Sequence, residues 1–148
     1  MNNSIKKALM VIAPKNFCDE EYFKSRVVLQ SNGIQVKTCA GQVSEATGML
    51  GGKAKIDIDL ADVKVNDFDA FIFVGGEGVK IYFKDKTALK LVKQAAEENK
   101  IIGAISQANK ILTNAGVSVK QKNLEIVAVD GLEKAEEFGS KIAELIKK

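Results

Sequence analysis

Ser106 follows the apolar run Ile101-Ile102-Gly103-Ala104-Ile105 and precedes a helical pattern, Ala108, Ile111, Leu112 and Ala115 at i, i+3, i+4 and i+7, that ends at Gly116. A residue at so sharp a strand-to-helix turn is exposed with its side chain aimed outward. The amides of the following helix and of a neighbouring glycine loop can then hold a developing oxyanion. Ile105-Ser106-Gln107 therefore has the position of a nucleophile elbow, although Ala104 and Ala108 depart from the Gly-x-Ser-x-Gly form. The chemistry would be attack of an alcohol on a carbonyl, and an alcohol needs a base. The chain has no histidine. Ser-His-Asp triads, Cys-His dyads and histidine-ligated metal sites are thus excluded within it, because no side chain with an ordinary pKa near neutrality remains. No cofactor or metal is expected.

Such a serine must be carried by buried strands, and the pattern supplies them. Residues 8–13 form a short, nearly continuous apolar run, as expected of a strand covered on both faces of a parallel sheet. Asp19 offers an N-cap, Phe23, Val27 and Val28 recur at helical spacing, and Gly33 supplies a stop before a second strand over residues 34–39. Between Lys53 and Asp62 the period changes to two: Ala54, Ile56, Ile58 and Leu60 alternate with Lys53, Lys55, Asp57 and Asp59. This predicts a half-buried strand in a hairpin with residues 43–47, turning at Gly51-Gly52. Residues 70–74 are again continuously apolar and close on Gly75-Gly76-Glu77-Gly78. A helix over residues 88–99 with Leu89, Val92 and Ala96 on one face leads into the strand before Ser106. A strand over residues 124–129 and an amphipathic helix carrying Ala135, Phe138, Ile142, Leu145 and Ile146 complete the pattern.

Strands alternating with helices predict an α/β fold, a three-layer sandwich of flavodoxin-like type with a mainly parallel sheet and helices on both faces. Ligands of such sheets bind outside the carboxyl ends of the strands. Three segments end there: Phe17 to Glu21, Gly75 to Gly78, and Ser106-Gln107.

The composition agrees with one domain over residues 1–148. With 148 residues and 46% hydrophobic content the chain can bury a core, and a single proline with no repeat or biased run argues against a linker. Basic and acidic residues, 22 and 19, are interspersed, so nucleic acid is not an expected partner. No apolar run approaches the roughly 20 residues that span a bilayer, and no leader pattern opens the chain; a cytoplasmic protein without membrane attachment is expected. Cys18 and Cys39 are too few to form a disulfide framework and read as reduced thiols.

Each of these residues also has an ordinary reading. Ser106 is of a type that caps helices, and Glu21 is an acid of the kind favoured in a first helical turn. Gly75, Gly76 and Gly78 follow a buried strand as turn residues often do, and form neither a Walker loop nor a dinucleotide fingerprint. Cys18 lies three residues before Glu21, close to the expected crevice, and Cys39 reads as packing.

The ordered combination of segments adds more. Gly103-Ala104-Ile105-Ser106 with Ile111-Leu112-Thr113-Asn114-Ala115-Gly116-Val117 resembles the elbow and following helix of the DJ-1/PfpI family, within the class I glutamine-amidotransferase-like superfamily. Phe17-Cys18-Asp19-Glu20-Glu21 resembles the family segment that carries an acid beside the nucleophile, which puts Glu21 in that place. Glu45-Ala46-Thr47-Gly48, Phe68-Asp69-Ala70-Phe71-Ile72-Phe73-Val74-Gly75-Gly76, Val129-Asp130-Gly131 and Glu136-Glu137-Phe138-Gly139 resemble further family stretches. The resemblance covers nearly the whole chain. It implies cysteine-dependent peptidase or amidase activity, glyoxalase or deglycase chemistry, or oxidation sensing, and a homodimer or higher homo-oligomer.

The sequence departs from that pattern where the chemistry is done. The family nucleophile is cysteine and this chain has Ser106; Gln107 stands where protease-like members often have histidine; Leu132 follows Gly131 directly, where a loop is usual. A thiol near pKa 8.5 can be pushed to the thiolate, whereas an alcohol does not usefully ionise at neutral pH and cannot enter the sulfenic ladder. The leading expectation is a degenerate pocket that binds a small anionic ligand, regulates or oligomerises, with Gly75, Gly76 and Gln107 as oxyanion or ligand contacts. The alternative is a protease, amidase or glyoxalase-type hydrolase in which Ser106 attacks, the Gly76 and Gln107 amides hold the oxyanion, and Glu21 or an unassigned lysine manages the proton; the pattern places no lysine within reach, since Lys110, one helical turn on, points along the helix surface. A chaperone-like or structural role leaves no residue signature.

Overall fold

A computed structural model describes residues 5–118, 126–129 and 134–148. Along the chain come β1 (Lys7–Val11), β2 (Lys15–Phe17), α1 (Asp19–Ser31), β3 (Gln35–Ala40), β4 (Glu45–Gly48), β5 (Lys53–Lys55), β6 (Ile58–Asp59), β7 (Ala70–Phe73), α2 (Lys86–Glu97), β8 (Ile101–Ile105), α3 (Asn109–Asn114), β9 (Ile126–Val129) and α4 (Ala135–Lys147). Six strands form one sheet in the order β6-β3-β1-β7-β8-β9, and every pairing in it is parallel. Leu124, Asp130, Gly131 and Leu132, which the sequence pattern places at the last strand and after it, lie outside the described residues.

Apolar runs without alternation need cover on both faces, and they have it. Ala8, Met10 and Ile12 share one core with Tyr22 and Leu29 of α1 and with Phe138, Ile142 and Ile146 of α4. Leu9 and Val11 point the other way, into a core with Leu91 and Val92 of α2 and Ile111 and Leu112 of α3. The sandwich therefore has three layers, as the alternation of elements predicts.

Three local expectations are corrected. The alternating run of residues 53–62 is not one strand: β5 pairs antiparallel with β4 in a small sheet ordered β2-β4-β5, whereas β6 crosses to the main sheet beside β3. Residues 60–62 then close a 3-10 turn, capped by the Asp59 carboxylate on the Ala61 amide. In α2 the buried face is Ala88, Leu91, Val92 and Ala95, with Leu89 and Ala96 at its margin, because Asp85 caps the helix and sets its start.

The third correction concerns α1. Its buried residues are Asp19, Glu21, Tyr22, Ser25 and Leu29, while Phe23 and Val27 are exposed. The helix turns its small, polar side to α4, where Ser25 Oγ donates to the Ala135 carbonyl at 3.3 Å and Gly139 leaves room only for backbone beside Ser25 and Val28. Asp19 does not cap. Cys18 occupies the cap position, and the Asp19 carboxylate instead accepts the amides of Leu50 and Gly52, both at 2.8 Å, fastening the β4–β5 turn to the start of the helix.

Candidate functional site

β8 ends at Ile105 in extended backbone, and the next residue turns sharply: Ser106 has φ 52, in the left-handed region that a non-glycine residue enters at a cost of roughly 1–2 kcal/mol. It opens a single 3-10 turn, Ser106–Ala108, that runs into α3. Asn109 Nδ2 donates back to the Ser106 carbonyl at 3.0 Å and braces the turn. The hydroxyl is thereby directed across the ends of the strands and not along the helix. Ser106 Oγ donates to Glu21 Oε2 at 2.8 Å. That bond, and a position after the cap residue Ile105, set aside its reading as a helix cap.

Glu21 sits in the first turn of α1, only 3% exposed, and its other oxygen, Oε1, accepts the Gly75 amide at 2.8 Å. Burying a carboxylate is costly unless hydrogen bonds replace water, and both oxygens have such partners. Gly75 is required by close approach: a Cβ there would lie 2.8 Å from Glu21 Oε1 and 2.8 Å from the Ile105 carbonyl. Gly76 follows with φ 112, and a Cβ on it would run into the Cys18 amide and come within 2.7 Å of the Asn16 carbonyl. The Gly75 carbonyl in turn accepts the Cys18 amide at 2.9 Å. Three segments far apart in sequence are so fastened together at the carboxyl ends of β1, β7 and β8. These ends lie where the strand order reverses around β1, the switch point at which open α/β sheets bind ligands.

The expected site residues separate into two sets. Ser106, Glu21 and Gly75 are in direct contact, and the Gly75 amide is taken by Glu21, so it is not available to a ligand as the sequence pattern suggests. Gly76 and Gln107 follow Gly75 and Ser106 directly, Gly76 half-buried and Gln107 exposed. Lys110 is exposed on α3. Cys18 is half-buried at the head of α1; burial pushes its thiol up and the Glu21 carboxylate adds to this, against amides of Glu21 and Glu20 that pull it down. Cys39 is fully buried in the core, and burial raises its thiol far above the ordinary range. Sequence reasoning misses the part Asp19 plays. Its signal is the pair Gly48 and Gly52, both of which leave space for the Asp19 carboxylate.

Among the described residues no three His, Cys, Asp or Glu side chains are placed to hold a metal ion, and no helix is long and apolar enough to cross a membrane.

Comparison with known proteins returns to the same family. The family model described as "DJ-1/PfpI family" matches residues 6–144. An uncharacterized protein of Methanocaldococcus jannaschii is 37% identical over 135 residues, covering 90% of this chain and 66% of that protein. A protein of Pyrococcus furiosus named deglycase PfpI is 22% identical over 121 residues, covering 82% of this chain and 73% of that one. The chain thus spans about two-thirds of the length of the M. jannaschii relative. Among solved structures, a ThiJ/PfpI domain protein from Brachyspira murdochii superposes with a TM-score of 0.89 at 24% identity, covering 98% of both chains.

Proposed function

The chain belongs to the DJ-1/PfpI family, and we propose that this member binds a small ligand in the family's pocket and does not hydrolyse it. One observation carries the reading: the hydroxyl of Ser106 is donated to Glu21 at 2.8 Å in a chain with no histidine. A hydroxyl becomes a nucleophile when its proton leaves as the new bond forms, and a carboxylate is a poor acceptor for an alcohol's proton. Nor does Cys18 replace the missing thiol, because burial and the Glu21 carboxylate both favour its protonated form. What remains is a half-buried hydroxyl at the carboxyl ends of the strands, with the half-buried Gly76 and the exposed Gln107 in the segments beside it. This suits a small molecule bearing a carbonyl or carboxylate oxygen. The protein is proposed to act in the cytoplasm.

The test has two arms. Small carboxylates and methylglyoxal are titrated against the whole chain by thermal shift and by amide chemical-shift mapping; stabilisation with shifts confined to Gly76, Ser106 and Gln107, lost in Ser106→Leu, is expected. Activated esters, peptides, methylglyoxal and a deglycase substrate are then assayed beside Ser106→Ala. The similarity to a relative named deglycase makes that last substrate the stringent one. Turnover that depends on Ser106 would overturn the reading in favour of a serine hydrolase. Turnover gained in Ser106→Cys, and absent from the native chain, would support it.

A further inference from the structure

α1 ends in a turn that glycine supplies without strain. Gly33 has φ 77, its amide donates to the Gln30 carbonyl at 3.0 Å, and the Ile34 amide reaches back to the Leu29 carbonyl at 3.2 Å, the pairing that stops a helix. The fold thereby puts a glycine directly after Asn32, the cap residue. Asn32 is the one asparagine of the chain that glycine follows; the other eight precede residues with a side chain. With no Cβ beside it, the glycine nitrogen of an open chain can attack the asparagine Cγ. The N–Cγ bond forms as the Gly33 nitrogen gives its proton to water, and the Cγ–Nδ2 bond breaks to release ammonia. Water then opens the five-membered imide at either carbonyl, leaving aspartate or isoaspartate. No oxidant or reductant takes part.

The folded chain restrains both partners in that reaction. Asn32 Nδ2 donates to the Val28 carbonyl at 2.8 Å, which turns the side-chain amide back along α1, and Lys147 of α4 donates from Nζ to Oδ1 at 3.0 Å. Closing the imide needs Cβ and the Gly33 nitrogen on the same side of the Asn32 Cα–C bond, and ψ 12 is far from that arrangement. The Gly33 amide proton is meanwhile held by Gln30. Asn32 is nonetheless only half-buried and Gly33 is exposed, so water reaches the turn, and local opening of the end of α1 frees both groups. We infer that Asn32-Gly33 is a deamidation site whose rate is set by this clasp, with Lys147 tying it to the end of α4. The change is one-way. An aspartate product has no donor for Val28 and sets negative charge at the carboxyl end of the helix, and isoaspartate adds a methylene to the backbone of the turn. The site lies at the other end of α1 from Glu21, and the inference does not rest on the ligand reading.

Peptide mass spectrometry tests it on the whole chain held at mildly alkaline pH, folded and in guanidinium. Conversion is read as the mass gain of an amide turned to acid, and isoaspartate by its separate elution. In guanidinium Asn32 is expected to convert ahead of every other asparagine, and in the folded chain at least roughly tenfold more slowly than in the unfolded one. Lys147→Ala alters an exposed side chain, so folding is retained, which circular dichroism checks. It should speed conversion of the folded chain about two- to fivefold, the scale of one exposed hydrogen bond, and leave the unfolded rate unchanged. Asn32→Asp, which makes one product directly, should speed hydrogen exchange at the Gly33 and Ile34 amides several-fold. A folded chain that converts as fast as the unfolded one or not at all, or an unfolded chain in which Asn32 does not lead, overturns the site. A folded Lys147→Ala rate that is unchanged, or slower because the ammonium group polarises the Asn32 carbonyl, overturns the clasp, as does unaltered exchange in Asn32→Asp.

Discussion

Ser106 and Glu21 lie 85 positions apart in sequence, and the serine hydroxyl meets the glutamate carboxylate over 2.8 Å while the second oxygen of that carboxylate holds the Gly75 amide. Glu21 is thus a structural hub before it is a chemical group. Glu21→Ala leaves a buried amide and a half-buried hydroxyl without their acceptor and should cost about 2–4 kcal/mol of unfolding free energy. Ser106→Ala removes one donor from a carboxylate that keeps another and should cost about 1 kcal/mol. In the double variant the two losses should sum to more than is observed, since the shared bond can be lost only once. Urea denaturation of the four proteins checks this; strict additivity would mean that the contact contributes nothing to stability.

The glycines after β7 give a sharper steric test. Gly76→Ala has to bear φ 112 and also place a methyl group within 2.7 Å of the Asn16 carbonyl and 2.8 Å of the Phe17 carbonyl carbon, all backbone that cannot swing aside. A loss of about 3 kcal/mol or more is expected, from conformational strain plus overpacking. Gly51 has φ 90, and a methyl group added to it would meet nothing within 4 Å, so Gly51→Ala should lose only the conformational part, about 1–2 kcal/mol. Equal losses in the two variants would refute the close packing of the glycine loop on the head of α1.

The sequence makes some of this geometry legible and conceals the rest, for physical reasons. β1, β7 and β8 are readable because a strand covered on both faces has no polar position to spare, and the sharp turn at Ser106 is readable as the junction of two periodicities. The direction of α1 is not. Its apolar residues Phe23 and Val27 point outward, and the side that packs on α4 brings Ser25 and Val28 against Gly139, where closeness of backbones and the Ser25 hydroxyl on the Ala135 carbonyl take the place of a broad apolar contact. Residues 53–62 mislead for a different reason: strict alternation reports which side of the backbone is buried, but not that β5 and β6 serve different sheets. Asp19 resembles a cap because short acids usually are caps; only the fold brings the Leu50 and Gly52 amides, 31 and 33 residues on, within its reach.

Cys18 provides a pH-dependent signal at the crevice. Burial, then the Glu21 carboxylate, raises its thiol, so the reactive thiolate forms later than in an ordinary cysteine. The alkylation rate of Cys18 in Cys39→Ala should therefore rise with a midpoint above the ordinary value of about 8.5. Glu21→Gln should move that midpoint down by removing the negative neighbour. The linkage follows the same sign: the folded state holds this proton more tightly than the unfolded one, so the contribution to stability is present below the unfolded thiol's pKa and is lost as pH rises through the folded value. A midpoint below the ordinary range would instead mark an activated thiol and return cysteine chemistry to the crevice.

Asp19 separates the fastening of the β4–β5 turn from the chemistry of the crevice. Its carboxylate is 8% exposed and takes two backbone amides at 2.8 Å, a use that neither an amide nor a methyl side chain can reproduce. Asp19→Asn offers one acceptor oxygen and turns an NH2 group toward the second amide, so it should destabilise nearly as much as Asp19→Ala, by about 1.5–3 kcal/mol. Hydrogen exchange distinguishes this from a general loss of stability. The Leu50 and Gly52 amides should exchange roughly tenfold or more faster in Asp19→Asn, through local opening of the turn. The Gly75 amide, held by Glu21 through a separate bond, should accelerate only as far as global unfolding allows. Acceleration of Gly75 equal to that of Leu50 would mean that the turn and the crevice open as one unit, and that Asp19 holds both.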